Sequence, residues 1–107
     1  METFEEYQAL AVEVPLSLRN NRDRIHFPVL GLQEESGKIG SLLTGAFASG
    51  RLILSPEQRS KLQDQFADTL WFVALLCGEA NLPMQQAAEH SLIQLQERSK
   101  ELDPDRR

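Results

Sequence analysis

Residues 55–77 decide the fold, and they read SPEQRSKLQDQFADTLWFVALLC. Ser55 has the features of a helix N-cap, because a proline occupies the next position and Gln58 follows three residues after the cap. Apolar residues then recur every four positions, but residues 70–77 are apolar on every face of the helix. The stretch therefore predicts a helix to about Ala80 whose second half must be buried all round.

The N-terminal segment also has a helical pattern. Thr3 and Glu6 have the spacing of a capping box, in which each side chain bonds to the backbone N–H of the other residue. Apolar residues recur at helical spacing to Val14, and Pro15 predicts the end of this helix. The polar residues 18–24 have no clear period, so they predict a connection.

Two further helices complete the pattern. Pro28 predicts the first turn of a second helix with an apolar stripe as far as Leu43. The small residues 44–50 predict a turn or a flexible arm. Residues 81–83 break the third helix, and apolar residues at helical spacing then predict a fourth helix over residues 84–102.

The length of the chain restricts it to one domain. The 107 residues can form one core, and no stretch has the alternation of a β-strand. We predict an all-α four-helix domain over residues 1–102, with a frayed tail over residues 103–107. A chain this short has little material to cover an all-apolar helix, so we expect a second subunit to complete the bundle.

Composition excludes several functions. The net charge of −5 argues against a general nucleic-acid binder or a polybasic membrane protein. Cys77 is the only cysteine, so the chain can form no internal disulfide, which favours a reducing cytoplasm. The acidic N-terminus is unlike a secretory signal, and residues 70–77 are too few to span a bilayer. We expect a cytoplasmic protein with no membrane insertion.

Polar residues on two of the predicted helices are candidates for chemistry. Asp68 lies in an apolar stretch of the third helix, where a lone carboxylate is costly, and Gln65 precedes it by three residues. On the second helix Glu34 and Glu35 stand four and three residues before Lys38, so both can pair with it. The sequence therefore predicts two polar patches that face each other across two apolar helices.

At these patches the chain resembles the MazG-like all-α nucleoside triphosphate pyrophosphohydrolases. Residues 30–38 (LGLQEESGK) resemble their pattern Leu-Gly-Leu-x-x-Glu-x-Gly-Glu, and residues 65–72 (QFADTLWF) resemble Glu-Leu-x-Asp-x-Leu-Trp-Tyr. The likeness continues into the closing helix and covers residues 4–98. It implies a four-helix bundle that forms dimers or tetramers, and Mg²⁺-dependent cleavage of a nucleotide to its monophosphate and pyrophosphate.

The resemblance also implies a ligand set, which this sequence only partly keeps. The first metal-binding Glu of the family is kept as Glu35 and the final Asp as Asp68, whereas the two other acidic positions hold Lys38 and Gln65. The four residues here carry a net charge of −1, where the family's four carboxylates carry −4. We therefore expect the Lys38 ammonium to replace the metal and to bridge Glu35 and Asp68, so that Lys38→Ala costs about 3 to 5 kcal/mol.

Two functions stay open at this point. The substituted ligands favour a relative with weak or lost pyrophosphohydrolase activity that acts as a nucleotide-binding or scaffold protein. The alternative is an active Mg²⁺-dependent enzyme in which Asp64 joins Glu35 and Asp68 to form a displaced metal site.

Three other residues are candidates for contacts to a nucleotide. The family's phosphate-facing Asn and Lys fall on Ser91 and Gln94, which implies phosphate contacts for these two side chains. Trp71 is a candidate for stacking on a nucleobase, although an aromatic residue in an apolar helix is more often part of the core.

Overall fold

The computed structural model describes residues 1–13 and 21–102, and this part of the chain contains four helices and one short hairpin. In chain order the elements are α1 (Phe4–Ala11), α2 (Asn21–Ala46), β1 (Phe47–Ala48), β2 (Arg51–Leu52), α3 (Pro56–Glu79) and α4 (Met84–Leu102). The prediction of an all-α chain with four helices is confirmed.

Helix α3 begins and ends as its sequence predicts. The Gln58 backbone N–H donates to Ser55 Oγ over 3.1 Å, and the Ser55 N–H donates to Gln58 Oε1 over 2.9 Å. At the other end Asn81 adopts a left-handed conformation with φ of 57°, and the Leu82 N–H donates to the Cys77 carbonyl over 2.8 Å. This turn separates α3 from α4, whose predicted bounds are also confirmed.

Helix α1 begins at the predicted cap but with one different bond. The Glu6 N–H donates to Thr3 Oγ1 over 3.1 Å, as predicted. The Glu6 carboxylate accepts from the Glu2 N–H over 3.0 Å rather than from the N–H of Thr3. The helix ends at Ala11. It therefore ends earlier than the predicted pattern to Val14, since Val12 caps the helix and Glu13 lies in a turn. Val14 itself, the predicted stop at Pro15, residues 18–20 of the connection and the tail 103–107 lie outside the described residues.

Helix α2 begins earlier than predicted, at Asn21, so the last part of the predicted connection is helical and Pro28 lies inside the helix. A proline there removes one backbone hydrogen bond. Packing opposes this cost, because the Phe27 ring meets the rings of Trp71 and Phe72 edge-on with centroids 5.6 Å apart, and the Pro28 side chain is fully buried. These tertiary contacts therefore outweigh the preference of Pro28 for the first turn of a helix.

The segment predicted as a turn or arm contains a small hairpin. Helix α2 continues to Ala46, and Phe47 then pairs with Leu52 in antiparallel register. Ser49 and Gly50 form the turn with φ of 53° and 75°. The turn is confirmed, but the prediction is wrong for residues 44–46, which end α2 and include the buried Ala46. The two-residue strands are too short to show alternation in a sequence.

The core has two parts that meet at α3. Ala11, Ala74 and Met84 form a buried cluster where α1, α3 and α4 meet, and Tyr7 packs against it. Burial raises the pKa of the Tyr7 hydroxyl above its usual value of 10.0. The second part is the contact of α2 with α3 around the Phe72 ring.

The all-apolar half of α3 is only partly covered within one chain. Phe72, Ala74 and Leu75 are buried, but Leu70 is 43% exposed. The expectation that this half is buried all round is therefore not met by a single chain. Among the described helices, none combines the length and the apolarity that crossing a bilayer requires.

The single chain is also extended for its size. Its radius of gyration is 17.0 Å, whereas a compact chain of this length has one of about 13 Å. It exposes 8431 Å² of surface, which is roughly 2,400 Å² more than expected for a folded monomer of this mass. Large apolar residues on α2, α3 and α4 contribute to this excess.

Gly31 controls how closely α2 approaches α3. A Cβ at this position would lie 2.7 Å from Cε1 of Phe72 and closer still to Cζ, whereas a Cβ at Gly37 would meet nothing within 4 Å. We predict that Gly31→Ala lowers the free energy of unfolding by about 1 to 2 kcal/mol, because overpacking outweighs the gain in helix propensity.

The matched control is Gly37→Ala, which we expect to raise the free energy of unfolding by up to about 1 kcal/mol. Urea denaturation followed by circular dichroism measures both values. Equal effects of the two substitutions would contradict a close contact at Gly31.

Candidate functional site

The predicted polar patches lie on α2 and α3, which run in opposite directions. Gly31 of α2 lies against Phe72 of α3, and further along α2 Lys38 shares a groove with Gln65, which precedes Phe72. The Phe72 contact therefore sets the register between the two helices. The residues that follow Gly31 on α2 lie beside the residues that precede Phe72 on α3. This is the arrangement that two facing polar patches require.

Glu35 is the buried charge of the site. The residue is only 7% exposed, and its Oε1 lies 3.5 Å from Nζ of Lys38. The ammonium is also 3.7 Å from Oε1 of Glu34, so both pairings predicted from the spacing are confirmed. The second carboxylate oxygen of Glu35, Oε2, is buried without a hydrogen-bond partner. The negative charge of Glu35 is therefore only partly compensated.

The predicted bridge from Lys38 to Asp68 is not formed. Lys38 pairs with the two glutamates of its own helix, which its flexible stem reaches at spacings of three and four residues. Asp68 is exposed, and the apolar residues beside it, Phe66 and Leu70, are also 48% and 43% exposed. The carboxylate of Asp68 therefore keeps its contact with water in the single chain.

The alternative metal ligands do not gather in one chain. Asp64 and Asp68 are exposed, while Gln65 is half-buried with its Oε1 buried and unpartnered. In the described part of the chain, no three His, Cys, Asp or Glu side chains are placed to hold a metal ion. An ammonium 3.5 Å from the buried carboxylate also opposes a divalent cation. These residues do not fit the Mg²⁺ site that the resemblance implies.

Beside the buried carboxylate lies a shallow groove of different chemistry. It has a volume of about 670 Å³ and is lined by Gly37, Lys38, Ser41, Leu42, Gln58, Lys61 and Gln65. The lining contains two ammonium groups, two amides and a hydroxyl, but no carboxylate. Such a set of hydrogen-bond donors suits an anion.

Sequence reasoning did not single out Lys61, Ser41 or Gln58 as site residues. The signal for Lys61 was present, because it stands four residues before Gln65 and so shares its face of α3. No described ion pair involves Lys61, in contrast to Lys38. Glu57 and Asp64 stand four residues before and three residues after Lys61 on α3, at the spacing of helical neighbours, but neither forms an ion pair with it.

The remaining predicted residues lie away from this groove. The Trp71 indole N–H donates to the Ala11 carbonyl over 3.3 Å, and its ring packs with those of Phe27 and Phe72. Ser91 and Gln94 are exposed on α4, and no residue of α4 lines the groove. The structure therefore does not place Trp71, Ser91 or Gln94 in the groove between α2 and α3. Their contacts to a nucleotide stay predictions.

Comparisons with family models, curated proteins and solved structures find no match to this chain.

The geometry at Lys38 predicts a smaller loss of stability in Lys38→Ala than the sequence alone predicts. Lys38→Ala should lower the free energy of unfolding by about 1 kcal/mol, because the Lys38 side chain is 50% exposed and water screens its pairing with Glu35. The matched control is Lys61→Ala, which should change stability by less than about 0.5 kcal/mol. Urea denaturation at neutral pH measures both. A loss of 3 kcal/mol or more in Lys38→Ala would show instead that Lys38 compensates a fully buried carboxylate.

Proposed function

We propose that the chain is a homodimeric, MazG-like helical protein that binds the phosphates of a nucleotide between α2 and α3 without a metal, and that its pyrophosphohydrolase activity is weak or lost. The observation that carries this proposal is the groove lined by Lys38 and Lys61 with no carboxylate in its lining. The sequence resemblance supplies the nucleotide as the ligand.

The surface of the single chain supports a dimer. A standard interface buries about 800 Å² on each partner, and the chain exposes roughly 2,400 Å² more than a compact monomer of its mass. Burying this excess against a second copy would cover residues such as Phe66 and Leu70 on α3. The all-apolar half of α3 would then have the surroundings that its sequence requires.

The groove has suitable chemistry for phosphate oxygens. Lys38 on α2 and Lys61 on α3 supply two charges, and the Ser41 hydroxyl can donate a hydrogen bond. The Oε1 atom of Gln58 already accepts from Ser55, so the amide N–H groups of Gln58 remain available as donors. Because Glu34 and Glu35 partly neutralise Lys38, we expect modest affinity that falls as salt is added.

The alternative is an active Mg²⁺-dependent pyrophosphohydrolase that uses Glu35, Asp64 and Asp68. One observation favours it, namely that Oε2 of Glu35 and Oε1 of Gln65 are buried oxygen atoms without partners. Oxygen atoms are the ligands that Mg²⁺ prefers. This alternative requires a metal for nucleotide binding, whereas the proposed function does not.

Calorimetric titration with a non-hydrolysable deoxynucleoside triphosphate in EDTA tests the proposal. We expect binding by the wild type and about tenfold weaker binding by Lys61→Ala, which corresponds to about 1.4 kcal/mol. Lys100→Ala is the control, since Lys100 is an exposed lysine on the last turn of α4 and should bind like wild type.

Two results would contradict the proposal. Nucleotide binding that appears only when Mg²⁺ is added would contradict binding without a metal. Release of pyrophosphate from a deoxynucleoside triphosphate, abolished by Asp68→Ala, would establish the active enzyme instead.

A further inference from the structure

One face of α4 changes from buried to exposed along the helix. Met84 is 5% exposed and packs with Ala11 and Ala74 in the core. Leu92 and Leu95 lie on the same face, because they stand eight and eleven residues after Met84, but they are 62% and 54% exposed. The face that packs on α1 and α3 at the start of α4 therefore continues as an uncovered apolar stripe.

The second half of α4 lacks the tertiary contacts on which a helix of this length depends. The helix has 19 residues and is about 28 Å long, and each of residues 89–98 is exposed in the single chain. Isolated helices shorter than roughly 12 to 15 residues are only marginally stable in water. We therefore expect another surface to cover this half of the helix.

The spacing of the stripe indicates which surface covers it. Ala88, Leu92, Leu95 and Ser99 stand four, three and four residues apart, which is the spacing of a coiled-coil seam. This order of spacings is the same in both chain directions, so the stripe fits an antiparallel copy of itself. Leu92 then faces the partner's Leu95, and Ala88 faces the partner's Ser99. Large side chains meet at the centre of the pair, and small side chains meet at its two ends.

The residues beside the stripe are compatible with this pairing. Glu89 and Gln96 flank one side of the stripe, and Ser91 and Arg98 flank the other side. In the antiparallel pair Glu89 lies near the partner's Gln96, and Ser91 lies near the partner's Arg98. Like charges therefore do not meet at these flanking contacts.

The position of the other helices favours the antiparallel direction. In one chain α1 and α3 pack on the start of α4 around Met84. Two parallel copies of α4 would place both of these clusters at the same end of the pair, whereas antiparallel copies place them at opposite ends. Antiparallel helices also bring the positive end of each helix dipole beside the negative end of the other.

We propose that the second half of α4 pairs in the antiparallel direction with α4 of a second copy, with Leu92 against the partner's Leu95. The proposal rests on the dimer proposed above and names the surface that forms it. The end of the partner's α4 then lies beside Ala88, one turn from Gln85, which lines a cavity of about 310 Å³ together with Leu70. A dimer of this kind is closed, because the same stripe is used by both copies.

Sedimentation equilibrium of Leu95→Gln and Ile93→Gln tests this contact. Both residues are exposed on α4, at 54% and 55%, but Ile93 lies on another face, where it lines a groove with Leu82 and His90. Glutamine is a good helix former, so neither change removes helix propensity. We expect the dissociation constant of the dimer to rise by about tenfold or more in Leu95→Gln, whereas Ile93→Gln should dimerise like wild type.

Selective disulfide formation tests the direction of the pair. In a Cys77→Ala background, chains with Ala88→Cys and chains with Ser99→Cys should form a mixed disulfide when they are combined. Chains with Ser99→Cys alone should form none under the same oxidation, because the two Ser99 positions lie at opposite ends of an antiparallel pair.

The outcomes separate this proposal from the proposed function. Equal dissociation constants for Leu95→Gln and Ile93→Gln would overturn pairing through this stripe and leave the dimer in place. A disulfide between two Ser99→Cys chains would show parallel helices and would overturn the antiparallel contact. A wild-type chain that stays monomeric at all accessible concentrations would overturn both the pairing and the dimer. Nucleotide binding is measured separately with Lys61→Ala, so none of these results decides it.

Discussion

The close contact of α2 with α3 at Gly31 and Phe72 is the constraint on which the other features depend. The absence of a side chain at Gly31 allows the Phe72 ring to lie against the α2 backbone, and Phe27 then packs edge-on against the same ring. This contact sets the register of the two helices, so it determines which residues line the groove between them.

The register has a chemical consequence. It places a lysine on each wall of the groove, because Lys38 lies beyond Gly31 on α2 and Lys61 precedes Phe72 on α3. It also leaves Glu35 buried with one oxygen atom near the Lys38 ammonium. The resemblance to the MazG-like enzymes implies carboxylates and a metal at this place, whereas the site in this chain is organised around an ammonium group.

The parts of the fold that follow from the sequence are those with local signals. The caps at Thr3 and Ser55 and the break at Asn81 act over three or four residues, so α3 and α4 were predicted at their observed bounds. The parts that do not follow from it are those in which long-range packing decides the structure. Pro28 was interpreted as a helix start, but the aromatic packing of Phe27 extends α2 past it. The environment of Asp68 depends on whether Phe66 and Leu70 are covered, which local sequence does not encode.

The most direct test of the account is a calorimetric titration with Mg²⁺ of the wild type and of the double variant Lys38→Glu, Gln65→Glu. We expect no Mg²⁺ binding by the wild type, because an ammonium lies 3.5 Å from the buried carboxylate. We expect the double variant to bind Mg²⁺, because its two added carboxylates supply the ligand set that the resemblance implies. Mg²⁺ binding by the wild type that is lost in Asp64→Ala would contradict the account and would establish a displaced metal site.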